Sequence, residues 1–316
     1  MGKFRSKYDH PISETVLAEF WQQVGETSLT LADGHTMSYC FIEHPNHNKV
    51  VVISNGRVES YLKYMEVIYD LYQQGFSVYA ADHVGQGLSS RLATNTHMGH
   101  IDSFERYVAH LGQFINEIVL PQQHSQRYLL GHSMGCAIAA LYLEHQHHHF
   151  SAAAFCAPMF GIKLPLPKPW VEWLANRLNC YAPGKEPNYI LGGQDYHAKP
   201  FYGNPLTHSR QRYARLLALY QQVPQIQLGS PTNQWLVEAI PAAERALQAA
   251  KQLPIPTLIL QAGKDCVVDN DSQWRVRGPH TQLQQIADAR HEILIEHDYC
   301  RSKGLKLILD WFNIGN

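Results

Sequence analysis

Short, unbroken apolar runs that end in turn residues alternate along this chain with longer stretches of helical periodicity. KVVVISNG (49–56), SVYAAD (77–82), RYLLGHS (127–133), SAAAFCAP (151–158) and TLILQAG (257–263) are apolar at consecutive rather than alternate positions. That pattern suits strands covered on both faces of a parallel sheet. TQLQQIADA (281–289) is a weaker candidate for a further strand, and helix-like stretches run over 61–74, 104–120, 134–145 and 298–312. Such alternation predicts an α/β fold with a mainly parallel central sheet flanked by helices. SLTL and TMSYCFIE flank Asp33-Gly34, a hairpin pattern, so the sheet is expected to begin antiparallel.

The rhythm breaks after Pro158. From there to about Ala250 the chain is rich in Pro, Gly and aromatic residues, with helical pieces near 170–178, 207–223 and 233–252 and no strand-like run. The expected organisation is a core of residues 1–157 and 251–316, with a helical cap, 158–250, inserted after the sixth strand.

Composition narrows the classes. At 316 residues with 45% hydrophobic and 17% charged positions, the chain has the balance of a globular protein with a substantial core. A net charge of −1 argues against a nucleic-acid partner gripped through phosphates. The six cysteines are scattered without a Cys-x-x-Cys pair, which points to reduced thiols and a cytoplasmic setting and away from a metal knuckle. The opening MGKFRSKYDHPIS has no apolar segment of signal-peptide type, and no run is long enough to span a bilayer. MGKFRS formally fits a myristoylation pattern, a short one that arises easily by chance. In ADHVGQGLSS the Gly85-x-Gly87 pair lacks a third glycine, so no dinucleotide cofactor is expected and Asp82 and His83 read as loop scaffold. HQHHH (145–149) reads as a helix end and loop.

The chemistry centres on LLGHSMG. Gly131 and Gly135 flank Ser133 after an apolar run and before an alanine-rich helix. Strand, Gly-x-Ser-x-Gly and helix together are the context of a nucleophile elbow, which also brings the Met134 backbone N–H toward a developing oxyanion. A serine hydroxyl needs a base, and the base an orienting acid, here expected later in the chain in the order acid, then histidine. TLILQAGKDC places Asp265 just beyond a strand, and ARHEILIEHD places His291 in a loop before the last helix. Asp269 and Asp271 compete with Asp265, because VVDND continues the same loop. In SNGRVES, Gly56 lets the backbone swing toward the serine, making the Arg57 amide the candidate second oxyanion donor.

Taken together, these motifs resemble the α/β-hydrolase superfamily, and more narrowly its lysophospholipase L2 and monoacylglycerol lipase group. GHSMG, DHVGQGLS and RHEILIE are similar to that group's elbow, Asp-His loop and histidine block. SNGRVESYLKY, NPLTHSRQRYARLLALY and GSPTNQWLVEAI look like the lysophospholipase branch, and Asn55-Gly56 stands where monoacylglycerol lipases show His-Gly. The resemblance implies a triad of Ser133, Asp265 and His291, oxyanion amides from Arg57 and Met134, no metal or organic cofactor, and a small single-acyl lipid as substrate. It implies a lysophospholipase first, with a monoacylglycerol lipase or general carboxylesterase as the alternative. A non-catalytic lipid- or partner-binding hydrolase-fold protein is the reading of a different class. In the cap, Trp170, Trp173 and Leu174 share a helix face that either packs on the sheet domain or forms a lid in peripheral contact with the inner membrane. Arg210, Arg212 and Arg215 are either a solvated face or candidate headgroup contacts, since guanidinium forks match phosphate oxygens.

Overall fold

A computed structural model describes residues 10–46 and 48–313; the MGKFRS pattern lies outside them. The strands are β1 (Gly25–Thr30), β2 (Thr36–Ile42), β3 (Lys49–Ser54), β4 (Ser77–Ala81), β5 (Gln126–His132), β6 (Ala152–Cys156), β7 (Thr257–Ala262) and β8 (Thr281–Ile286). They form one eight-stranded sheet in the order β1-β2-β4-β3-β5-β6-β7-β8. The two pairings made by β2 are antiparallel and all the others parallel. The hairpin and the apolar runs therefore form the strands expected of them.

Continuous apolarity has a simple cause. Val50 and Val52 enter one core cluster while Val51 and Ile53 enter the other, because successive strand side chains point to opposite faces. The helices are α1 (Glu14–Trp21), α2 (Met65–Gln73), α3 (Phe104–Phe114), α4 (Met134–Gln146), α5 (Lys168–Leu178), α6 (Arg210–Gln222), α7 (Asn233–Gln252), α8 (Asn270–Trp274) and α9 (Asp298–Phe312). Residues of α3, α4 and α7 build the first cluster, and those of α2 and α9 the second. β8 is a sheet edge with only Ile286 fully buried, which explains its polar, weakly strand-like sequence.

The connection between β6 and β7 carries α5, α6 and α7. Alanines at 239, 242, 243, 246, 249 and 250 give α7 a small, buried face that packs on α4, whose residues 134–143 are all buried. On α5 the buried residues are Val171 and Ala175, while Trp170 and Trp173 are 66% and 60% exposed. Packing of the tryptophan stripe on the sheet is thus not what the fold does; the two rings meet edge to face at the surface. Among the described residues no helix is long and apolar enough to cross a membrane. All six cysteines are free thiols.

Candidate active site

Ser133 joins β5 to α4 with φ 51° and ψ −117°, a conformation costing about 1–3 kcal/mol in a residue with a side chain. Its N–H donates to the Cys156 carbonyl at 3.0 Å, and its own carbonyl accepts from the amides of Cys136 and Met159 at 3.0 and 3.1 Å. The flanking glycines answer to space: neither has positive φ. A Cβ at Gly135 would stand 2.5 Å from the Ser54 carbonyl carbon, and one at Gly131 would stand 3.0 Å from Cys136 Cα.

Two loops bring partners to the hydroxyl. His291, 4% exposed, places Nε2 2.9 Å from Ser133 Oγ and Nδ1 2.8 Å from Asp265 Oδ2. A carboxylate only accepts, so the ring proton belongs on Nδ1 and Nε2 presents its lone pair to the serine O–H. Asp265 Oδ1 accepts from the amides of Val267 and Val268 at 2.8 and 3.2 Å. Burial alone would raise the Asp265 carboxyl; the hydrogen bond and charge of His291 and those two amides outweigh it and hold it below the usual carboxylate range. Asp269 instead caps α8 by accepting from the Asp271 amide at 3.1 Å, and no hydrogen bond joins either residue to His291.

The amide side of the site is assembled by a second loop. Glu59 accepts the Gly56 N–H. Gln86 Nε2 donates to Gly56 O at 2.7 Å and to Glu59 O at 3.0 Å. Among the described residues the Arg57 amide meets no acceptor, and Met134, first residue of α4, has no intrahelical one. Both are therefore available to a substrate oxygen. Asp82 secures the loop from behind, accepting from Asn55 Nδ2, Ser60 Oγ, Tyr61 N and Leu88 N; burial pushes its carboxyl up to about 7.

Beneath the triad lies a buried charge network that the motifs do not announce. Glu59 accepts from Tyr64 Oη and Lys63 Nζ, each at 2.6 Å, and faces His132 Nδ1 at 3.1 Å. Lys63 also reaches Glu292 at 2.6 Å, and His132 Nε2 donates to the His291 carbonyl at 3.2 Å. With acceptors at both ring nitrogens, His132 is an imidazolium: burial would lower its pKa, but Glu59 raises it above the ordinary value. Glu59 is held well below its usual range, burial notwithstanding, by the charges of His132 and Lys63. The i,i+4 spacing of Glu59 and Lys63 is the one sequence signal that could have found this network.

Of the three arginines, Arg212 and Arg215 are engaged with carboxylates, while Arg210 is exposed. Arg212 is buried and donates through Nε and Nη2 to Glu66, and through Nη2 to Asp298, all at 2.8 Å. Arg215 pairs with Glu14 and with Glu66, and Arg210 lies over the rings of Phe201 and Tyr202. Arg212 and Arg215 serve to fasten the β6–β7 connection to α1, α2 and α9. Among the described residues, His208, Glu296 and His297 have potential metal-ligand atoms within 4.8 Å of one another. Glu296 already accepts from the amides of Arg290, His208 and His297 and from the His208 ring, so its carboxylate oxygens serve the protein's own hydrogen bonds.

Comparison with known proteins agrees with this geometry. A family model described as serine aminopeptidase, S33, matches residues 45–298. Lysophospholipase L2 of Escherichia coli (strain K12) is 40% identical over 309 residues, 95% of this chain and 91% of that protein. Probable lysophospholipase L2 of Haemophilus influenzae is 31% identical over 98% of this chain and 99% of that protein. The crystal structure of Paleococcus ferrophilus monoacylglycerol lipase superposes with a TM-score of 0.67 at 21% identity, covering 87% of this chain and 98% of that one. The chain belongs to the serine aminopeptidase S33 family of α/β-hydrolases, among its lysophospholipase L2-like members.

Proposed function

We propose that this protein is a serine carboxylic-ester hydrolase that deacylates single-acyl lipids, as a lysophospholipase. The observation that carries the reading is the chain of hydrogen-bond contacts Ser133 Oγ, His291 Nε2, His291 Nδ1, Asp265 Oδ2 at 2.9 and 2.8 Å, on a chain that shares 40% identity with a lysophospholipase L2.

In the first step Ser133 Oγ bonds to the ester carbonyl carbon while its proton passes to His291 Nε2. The carbonyl oxygen takes the negative charge and accepts from the amides of Arg57 and Met134, each worth about a hundredfold or more in rate. Asp265 holds the imidazolium and fixes its tautomer. As the carbonyl re-forms, the C–O bond to the glycerol side breaks and His291 returns its proton to the leaving alkoxide. Water then repeats the sequence on the acyl-enzyme, giving a free fatty acid and restoring Ser133. The exposed Trp170 and Trp173 edge is where we place contact with lipid aggregates, as a peripheral rather than spanning attachment.

The deciding experiment is a substrate panel of lysophosphatidylcholine, monoolein and a short nitrophenyl ester, with a fluorophosphonate label. Lysophosphatidylcholine is expected to give the highest kcat/KM, and Ser133→Ala to lose both turnover and labelling. A preference for monoolein would move the assignment to the monoacylglycerol lipases. Wild-type protein that neither turns over any ester nor takes the label would make it a non-catalytic binder.

A further inference from the structure

Glu296 lies at the end of the loop that carries His291, and it is fully buried. Buried carboxylates are ordinarily paired with a cationic side chain, as Glu66 is with Arg212 and Glu59 with Lys63. Glu296 departs from this. Among the described residues no lysine or arginine forms an ion pair with it, and its one such contact is the ring of His208, Nδ1 to Oε1 at 2.8 Å. The backbone amides of Arg290, His208 and His297 fix the carboxylate in place. The ring contact differs from these, because a ring can turn or move its proton and a backbone amide cannot.

His297 follows directly and offers a further ligand. His208, Glu296 and His297 each present a ligand atom within 4.8 Å of the others, and the two imidazole rings lie 5.9 Å apart, centre to centre. A tetrahedral zinc ion with nitrogen and oxygen ligands at about 2.0–2.2 Å sets neighbouring ligand atoms roughly 3.4 Å apart. The Nδ1–Oε1 pair is already closer than that, and rotation of the two part-exposed rings supplies the remaining closure. Binding at His208 Nδ1 moves the ring proton to Nε2, which makes no hydrogen bond among the described residues. Water completes the shell. Two imidazoles with one carboxylate suit the zinc class of cations, whereas magnesium and calcium take oxygen sets.

We propose that His208, Glu296 and His297 bind a divalent cation of the zinc class, and that this cation fastens the β6–β7 connection to the loop of His291. His208 belongs to that connection, just before α6, whereas Glu296 and His297 lie between His291 and α9. The two segments are already stitched together. Glu292 N donates to Leu206 O at 2.9 Å, Thr207 Oγ1 to Ile295 O at 2.8 Å, and Arg290 Nη1 to Asn204 O at 2.9 Å. A cation at the same seam adds bonds from both sides and compensates the buried carboxylate. It touches neither Ser133 nor the ring of His291, so its role is structural and independent of the ester cleaved.

The test is metal binding by the full chain without an affinity tag, using Zn²⁺ and Co²⁺. A first equivalent should bind, and bound Co²⁺ should show the intense visible bands of a tetrahedral site. Zn²⁺ should raise the urea midpoint, because it binds the folded state alone, and should slow deuterium exchange over 204–209 and 290–297. His208→Gln and His297→Gln should each weaken binding on the order of a hundredfold or more. Urea unfolding without metal shows that each variant folds. His297→Gln is the gentler change, since the His297 ring, unlike that of His208, makes no hydrogen bond to Glu296. The HQHHH stretch serves as control: His147→Gln combined with His148→Gln should leave the first equivalent unchanged. Wild-type protein that binds neither cation overturns the site. So does full affinity in either His208→Gln or His297→Gln, or loss of the first equivalent in the HQHHH variant, which would make the binding adventitious. Binding that needs both histidines yet leaves exchange in the two segments unchanged overturns the fastening role.

Discussion

Gly135→Ala is the smallest change that tests how the site is built. The added methyl carbon would sit 2.5 Å from the Ser54 carbonyl carbon, and nearer still to the oxygens of Ser54 and Asn55. Comfortable carbon–carbon separation begins near ~3.5 Å, so α4 and the end of β3 would have to part by about 1 Å. Neither can yield cheaply, because the obstacle is backbone on both sides and Ser54 Oγ already donates to Gly135 O at 3.0 Å. Overpacking of this kind costs about 1–3 kcal/mol, and more where backbone must move. The same displacement separates the nucleophile on α4 from the amide loop that begins at Asn55, and ~1 Å of misplacement costs about a hundredfold in rate. Gly131→Ala is the internal control. Its nearest neighbours are Cys136 Cα, N and Sγ at 3.0–3.1 Å, a few tenths of an ångström of crowding, part of it against a movable sulfur. Urea unfolding and nitrophenyl-ester kinetics on both variants should rank Gly135→Ala well below Gly131→Ala in stability and in kcat. Wild-type stability and turnover in Gly135→Ala would refute the close approach of helix and strand on which the site geometry depends.

Other expectations follow from the same contacts. Asp265→Asn keeps the shape but lets Nδ1 lose its fixed proton, so kcat should fall by about 10³–10⁴, while Asp269→Asn should leave the rate nearly intact; comparing the two by ester hydrolysis checks the choice of acid. Glu59→Gln removes the counter-charge of His132 and Lys63 while its amide oxygen can still accept the Gly56 N–H; breaking such a buried pair should cost about 3–5 kcal/mol. The His132 pKa should fall as well, which NMR titration would show. Glu66 is held at about 2, below its ordinary 4.5, because the charge of Arg301, the charge and hydrogen bonds of Arg212 and the Ile12 amide overcome the effect of burial. Its contribution, about 3 kcal/mol from a shift of that size, is fully present above pH 4.5 and lost as pH falls toward 2. Glu66→Gln should therefore flatten the acid limb of a stability–pH curve measured by urea unfolding.

Much of this protein was legible along the chain because the signals are local. A run such as KVVVIS must bury both faces, GHSMG must turn sharply, and Asp265 and His291 each follow a strand, so fold class and candidate triad could be read without coordinates. Selection between equals could not. VVDND offers further carboxylates near Asp265, and only the folding of α8 turned Asp269 into a helix cap. Arg212 reads as a surface residue until residues 146 and 86 positions away, Glu66 and Asp298, close around it. The reverse holds for Arg57, whose charge stands out only once the fold has surrounded it with Gly99, Gly229 and Trp235 and, among the described residues, no paired carboxylate. Periodicity and turn chemistry are properties of neighbours in sequence. Whether a charge is paired depends on neighbours in space, and tertiary packing alone chooses those.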